Sequence, residues 1–110
     1  MKKRAVTYQL KDLSGKDHER HEREMVALGQ MWGYDIARRL LIPAFCDTPL
    51  LKLVQAIQKV EAEAVFVPYL AHLGGSMRAV TEQCILVDTL TFKTYARHYD
   101  WQKTLSANGF

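Results

Sequence analysis

Residues 64–78 read AVFVPYLAHLGGSMR, and the order of residue types in that stretch decides the fold. Ala64 to Val67 is a short, unbroken apolar run closed by Pro68. A strand that is apolar at every position, with no alternation, suits the centre of a parallel sheet, where both faces are covered. A loop from Tyr69 to Gly75 follows, then Ser76, placed as the N-cap of a short helix near 77–83. Strand, loop and helix start in that order are the unit from which α/β sheets are assembled.

Working outward, residues 50–62, LLKLVQAIQKVEA, carry Leu50, Leu53, Val54, Ile57 and Val60 at helical spacing. Pro49 suits the first helical position and Thr48 the N-cap. Residues 43–48 form a loop, and 34–42, YDIARRLLI, read as a strand. Before it, KDHERHEREMVALGQMW predicts a helix of about 16 residues, closed by Gly33. Its polar first half gives way to Met25, Leu28, Met31 and Trp32, spaced to share one face. Residues 11–16 contain a Ser14-Gly15 turn signal, and 4–10, RAVTYQL, form the first strand. Downstream, 84–95 predict a last strand or hairpin, and 96–110 a frayed tail carrying Tyr99 and Trp101.

The resulting order is β-α-β-α-β-α-β. It predicts one α/β domain over 1–110, with a core at about 4–95 and a mostly parallel sheet covered by helices on both faces. Ligand sites in such sheets lie at the carboxyl ends of the strands, here the loops 11–16, 43–48 and 69–76.

A chain of 110 residues buries roughly two-thirds of its unfolded surface, so the fold needs no disulfide or metal. Fifteen Lys and Arg against twelve Asp and Glu give a net charge of +3, with no long basic tract. That permits weak DNA binding without arguing for it. Cys46 and Cys84 have no motif spacing and read as free thiols of a reducing compartment, Cys84 in the core. The basic N-terminus lacks the apolar segment of a signal peptide, and no apolar run approaches membrane-span length. The expected location is cytoplasmic, with no membrane contact and no cofactor.

The sequence resembles the N-terminal catalytic domain of the serine recombinases (resolvases, invertases and large serine integrases). That family opens with a strand like RAVIYARVSS, matched by Arg4-Ala5-Val6-Thr7-Tyr8. A helix like RQREAIEAYAERHGW is matched by Arg20 to Gly33, and RPALQRLL by Thr48 to Val54. DVVVVWKLDRLGRSLRD is matched without a gap by Ala64 to Arg78. The resemblance covers residues 4–85 and implies a resolvase-like (flavodoxin-like) three-layer α/β/α fold and self-association through this domain.

The departures from the family pattern fall on its chemistry. The position of the family's nucleophilic Ser, four residues after the Tyr, holds Asp12. A carboxylate repels a phosphodiester and attacks it poorly. The family's Arg two residues after the Tyr falls on Leu10, and the Arg before the Pro on Thr48. Its DRLGR loop, whose two arginines clamp the phosphate, reads Ala71-His72-Leu73-Gly74-Gly75. Phosphoryl transfer relies on positioning and charge neutralisation, and one such donor is worth about 2.7–4 kcal/mol in the transition state. The resemblance therefore implies a scaffold without recombinase activity. Within these 110 residues there is also no counterpart of the family's DNA-binding module or long dimerisation helix.

Several residues keep two readings. Ser14 is a displaced nucleophile, or a turn residue or helix N-cap. His18, His21 and Glu22 have metal-ligand spacing, but the HERHERE run around them reads better as a solvated helix face with i,i+4 pairs. Cys46 with His72 would form a thiolate pair for a hydrolase, Asp47 lying beside the cysteine. His72, Gly74, Gly75, Ser76 and Arg78 would hold an anion or a partner at a helix start, or form an ordinary polar loop. Tyr69, Tyr95, Tyr99 and Trp101 form an exposed partner surface or pack on the sheet edge. The functional expectation is a non-catalytic domain acting through an unidentified protein partner, a second copy of itself or, more weakly, DNA. The rival is a small enzyme using the same sheet edge, through Cys46 and His72 or through Ser14.

Overall fold

A computed structural model describes residues 2–101. The elements are β1 (Lys3–Leu10), α1 (Lys11–Ser14), α2 (His18–Met31), β2 (Tyr34–Ile42), α3 (Pro49–Val60), β3 (Ala64–Val67), α4 (Met77–Thr81), β4 (Ile85–Asp88) and β5 (Lys93–Tyr95). Single 3-10 turns cover Gly15–Asp17 and Leu70–Leu73. The five strands form one sheet in the order β2-β1-β3-β4-β5. The first four are mutually parallel, and β5 returns antiparallel against β4.

Alternation along the strands divides the core in two. Val6, Tyr8, Val65, Val67 and Leu86 face α3 and α4, meeting Leu53, Ile57, Leu73 and Val80. Ala5, Ala64, Phe66 and Val87 face the other way, against Met25 and Leu28 of α2. All four residues of β3 are buried, as its unbroken apolar run requires. Gly29 lets α2 sit close to the sheet, since a Cβ there would lie 2.7 Å from Ile36 Cδ1.

Thr48 and Ser76 do hold the N-cap positions of α3 and α4, without a side-chain capping hydrogen bond. Three expectations need correction. The turn at 11–16 is a helical turn, α1, broken from the rest by Gly15 at φ +57°. In α3, Leu50, Val54 and Val60 are only partly buried, and Ala56 joins Leu53 and Ile57 at the interface. Met31 is 78% exposed, and Trp32, just past the end of α2, is 41% exposed with its ring 5.9 Å from that of Phe66. Residues 102–110 of the expected tail lie outside the described residues.

Candidate functional site

The chain runs from β1 outward to β2, then returns to the other side of β1 for β3. Strand order reverses between β1 and β3, and the crevice outside their carboxyl ends is where such sheets bind ligands. Here that crevice is bridged and filled. Leu10, the last residue of β1, donates its backbone N–H to His72 Nδ1 at 2.9 Å, joining the β1 and β3 loops across 62 residues of chain. A nitrogen that accepts carries no proton, so the His72 proton sits on Nε2. That N–H is buried and has no hydrogen-bond partner. His72 is 1% exposed, and burial, with the His21 ring nearby, pulls its pKa down to about 4. It is a neutral latch.

Beside it lies a second polar chain. Gln9 is buried and donates Nε2–H to the His18 carbonyl at 2.8 Å. That bond fixes the amide, so its oxygen accepts the Ser14 hydroxyl at 2.6 Å. Ser14 Oγ also lies 2.9 Å from His21 Nδ1. Serine has one proton, and it is committed to Gln9, so Nδ1 of His21 must donate. The order of donation is His21 to Ser14 to Gln9. General-base activation needs the reverse, with a ring lone pair aimed at the hydroxyl. The rings of His21, Tyr69 and His72 meet edge to face, with His72 and Tyr69 4.5 Å apart and His21 6.3 Å from His72.

A cleft of about 420 Å³ opens on the outer side of this plug, beyond the carboxyl ends of β3 and β4. His21 and Tyr69 form part of its wall, with Leu28 and Pro68, while Met31, Leu90 and Phe92 rim it. These last three are 78%, 71% and 66% exposed. Phe92 sits in the turn between β4 and β5 at φ +58°. A bulky side chain pays a strain cost of order 1 kcal/mol in that left-handed region, which Gly or Asn adopts readily. Thr89, also lining the cleft, has a buried hydroxyl without a partner. The volume falls in the range of small-ligand and peptide-anchor sites.

The remaining candidates scatter. Ser14 and His72, which the sequence reading treated separately, are brought to one crevice. His21 is spent on Ser14, and Glu22 reaches Arg39 at 3.9 Å; Arg20 pairs with Asp17 and Glu24 on the solvated face. Among the described residues no group of three His, Cys, Asp or Glu could hold a metal. Cys46 is half-buried against the α3 side of the core and makes no hydrogen bond to His72, whose Nδ1 is taken and whose Nε2 is unpartnered. Asp47, Asp12, Thr48 and Ala71 are exposed, and Leu10 is partly buried. Cys84 is core, with its thiol pushed up to about 12 by burial.

In the Gly74–Ser76 loop, the N–H groups of Gly74 and Ser76 already donate to Ala71 and Leu73, at 3.0 and 2.9 Å. Gly75 is exposed, and Arg78 turns to Glu82 at 3.2 Å. Of the aromatics, Tyr95, Tyr99 and Trp101 stack within 5.1 Å of one another at the β5 edge, and Trp101 donates to Thr81 Oγ1. Tyr69 belongs to the crevice instead.

The sequence reading missed Gln9, Met31, Leu90 and Phe92. Gln9 had a signal, a long polar side chain inside an apolar strand. Comparison with protein-family models, curated proteins and solved structures finds no match to this chain.

Proposed function

We propose that the chain is a non-catalytic, resolvase-like three-layer domain that acts by association. The apolar cleft would take a protein partner or a second copy of the chain, with DNA as the weaker alternative. The observation that carries this reading is the direction of the Gln9–Ser14–His21 hydrogen bonds. It leaves the buried Ser14 hydroxyl at the strand-order reversal without a base. Next to that closed crevice, apolar side chains stand in solvent at the cleft rim, the pattern of an interaction surface. Family-level resemblance supports the scaffold, and the substitutions at Leu10, Asp12, Thr48, Ala71, His72 and Gly75 support the loss of phosphoryl transfer.

Two assays test it together. Purified protein incubated with supercoiled plasmid should leave it intact, and capture from the native host should recover a partner with wild-type protein but not with Phe92→Ser. Plasmid cleavage abolished by Ser14→Ala would overturn the non-catalytic reading in favour of the rival one, for which the 2.9 Å contact between Ser14 and His21 is the favouring observation. Equal capture by both forms would remove the cleft from the account.

A further inference from the structure

The edge strand β2 changes face partway along its length. Ala5 pairs with Ile36 but Val6 with Arg38, so Ala37 is an extra residue, a β-bulge. Before the bulge, Tyr34 and Ile36 pack with the α2 side of the core. After it, Leu40 and Ile42 pack with the α3 side, and Arg39 points back to Glu22 of α2. Unbroken alternation would put Arg38 with Tyr34 and Ile36. The bulge turns it to the α3 face instead, which is what bulges do where a side chain must be re-aimed.

There Arg38 meets Lys52 and Lys59. With Leu40, Gln55 and Ala56 they line a groove of about 230 Å³ between β2 and α3. The two lysines are seven residues apart, about 10 Å along the helix on the same side. No carboxylate lines the groove, and none of the three cations forms an ion pair among the described residues. Elsewhere the charged side chains alternate in sign and several pair. Charged residues and a bulge on an edge strand also guard against strand pairing. That explains Arg39 but not two lysines on a helix. Three like charges around one hollow, with no carboxylate among them, make a local positive potential that favours an anion.

We propose that this groove binds a compact polyphosphate, a diphosphate or larger phosphate ester, with Arg38 presenting its fork to one phosphate and Lys52 and Lys59 neutralising the rest. Size favours a small anion over a nucleic-acid strand, because the cations converge on one hollow instead of marking a track. Lack of an aromatic wall makes the phosphate groups the recognised part. The bulge disrupts the regular ladder that an added acidic peptide strand would need. The site is separate from the cleft, and its test does not depend on the function proposed above.

The test is an NMR titration of the full chain with sodium pyrophosphate in low salt at neutral pH. The proposal expects saturable binding, with shifts confined to β2 and α3. Arg38→Ala and Lys52→Ala should each weaken it about tenfold, the scale of one hydrogen bond to a charged group. Both side chains are exposed, so the variants should fold as wild type. Lys11→Ala and Lys16→Ala change net charge equally far from the groove and should leave affinity unchanged. Uniform shifts at every Lys and Arg, or equal weakening by the control variants, would overturn the site. Equal affinity for citrate, or saturation of the groove by an oligothymidylate and not by pyrophosphate, would overturn the ligand class.

Discussion

Lowering the pH should open the latch between β1 and the β3 loop, and the size of the effect follows from His72. In the folded chain its pKa falls from 6.5 to about 4, because burial and the neighbouring His21 disfavour the cation. Protonation would also place an Nδ1–H against the Leu10 N–H, now 2.9 Å away as its donor. The unfolded chain therefore binds this proton first, and stability falls as pH drops from about 6.5 toward 4. At pH 4.5 the loss relative to pH 7 is about 2 kcal/mol, since each pKa unit is worth at most about 1.4 kcal/mol. Carboxylates titrate in the same range, so the assay is a comparison. Urea unfolding would be measured from pH 7.5 to 4.5 for wild type and for His72→Asn. The amide oxygen of Asn can take the place of Nδ1 without titrating. The variant's curve should be flatter by about 2 kcal/mol or more over that range. Parallel curves would show that His72 is not held neutral by the fold and does not latch β1 to the β3 loop.

Three further outcomes follow from particular residues. Ser14→Ala leaves Gln9 Oε1 and His21 Nδ1 without a partner in a buried site and should cost about 1–3 kcal/mol in urea unfolding. Glu61 closes α3 in the left-handed region at φ 54°, so Glu61→Gly should stabilise by roughly 0.5–1 kcal/mol and raise the melting temperature by several degrees. Phe92→Gly should likewise gain about 1 kcal/mol from relieved backbone strain while abolishing partner capture. A stabilised variant that still captured its partner would detach that strain from function.

The sheet was legible because its signals are local and strong. AVFV from Ala64 to Val67, closed by Pro68, suits a strand covered on both faces, and Gly33 and Pro49 mark a helix end and a helix start. The site was legible in its loops but not in its chemistry. Ser14 and His72 stood in two of the three loops named from the sequence, yet their roles depend on hydrogen-bond direction across the sheet. No spacing rule encodes that Gln9 is pinned by the His18 carbonyl, or that Leu10 donates to a ring 62 residues away. Met31 continued the α2 periodicity with Met25 and Leu28, yet it stands 78% exposed. The bulge at Ala37 left no mark in YDIARRLLI, because a single inserted residue reverses alternation without changing composition.

Whether Ser14 can act as a nucleophile rests on the tautomer of His21, which nitrogen-15 NMR of the imidazole reads at a pH where the ring is neutral. With Ser14 donating to Gln9, the proton should lie on Nδ1, in contact with Ser14 Oγ. A proton on Nε2, with the Nδ1 lone pair facing the serine hydroxyl, would contradict it and restore Ser14 as a base-assisted nucleophile.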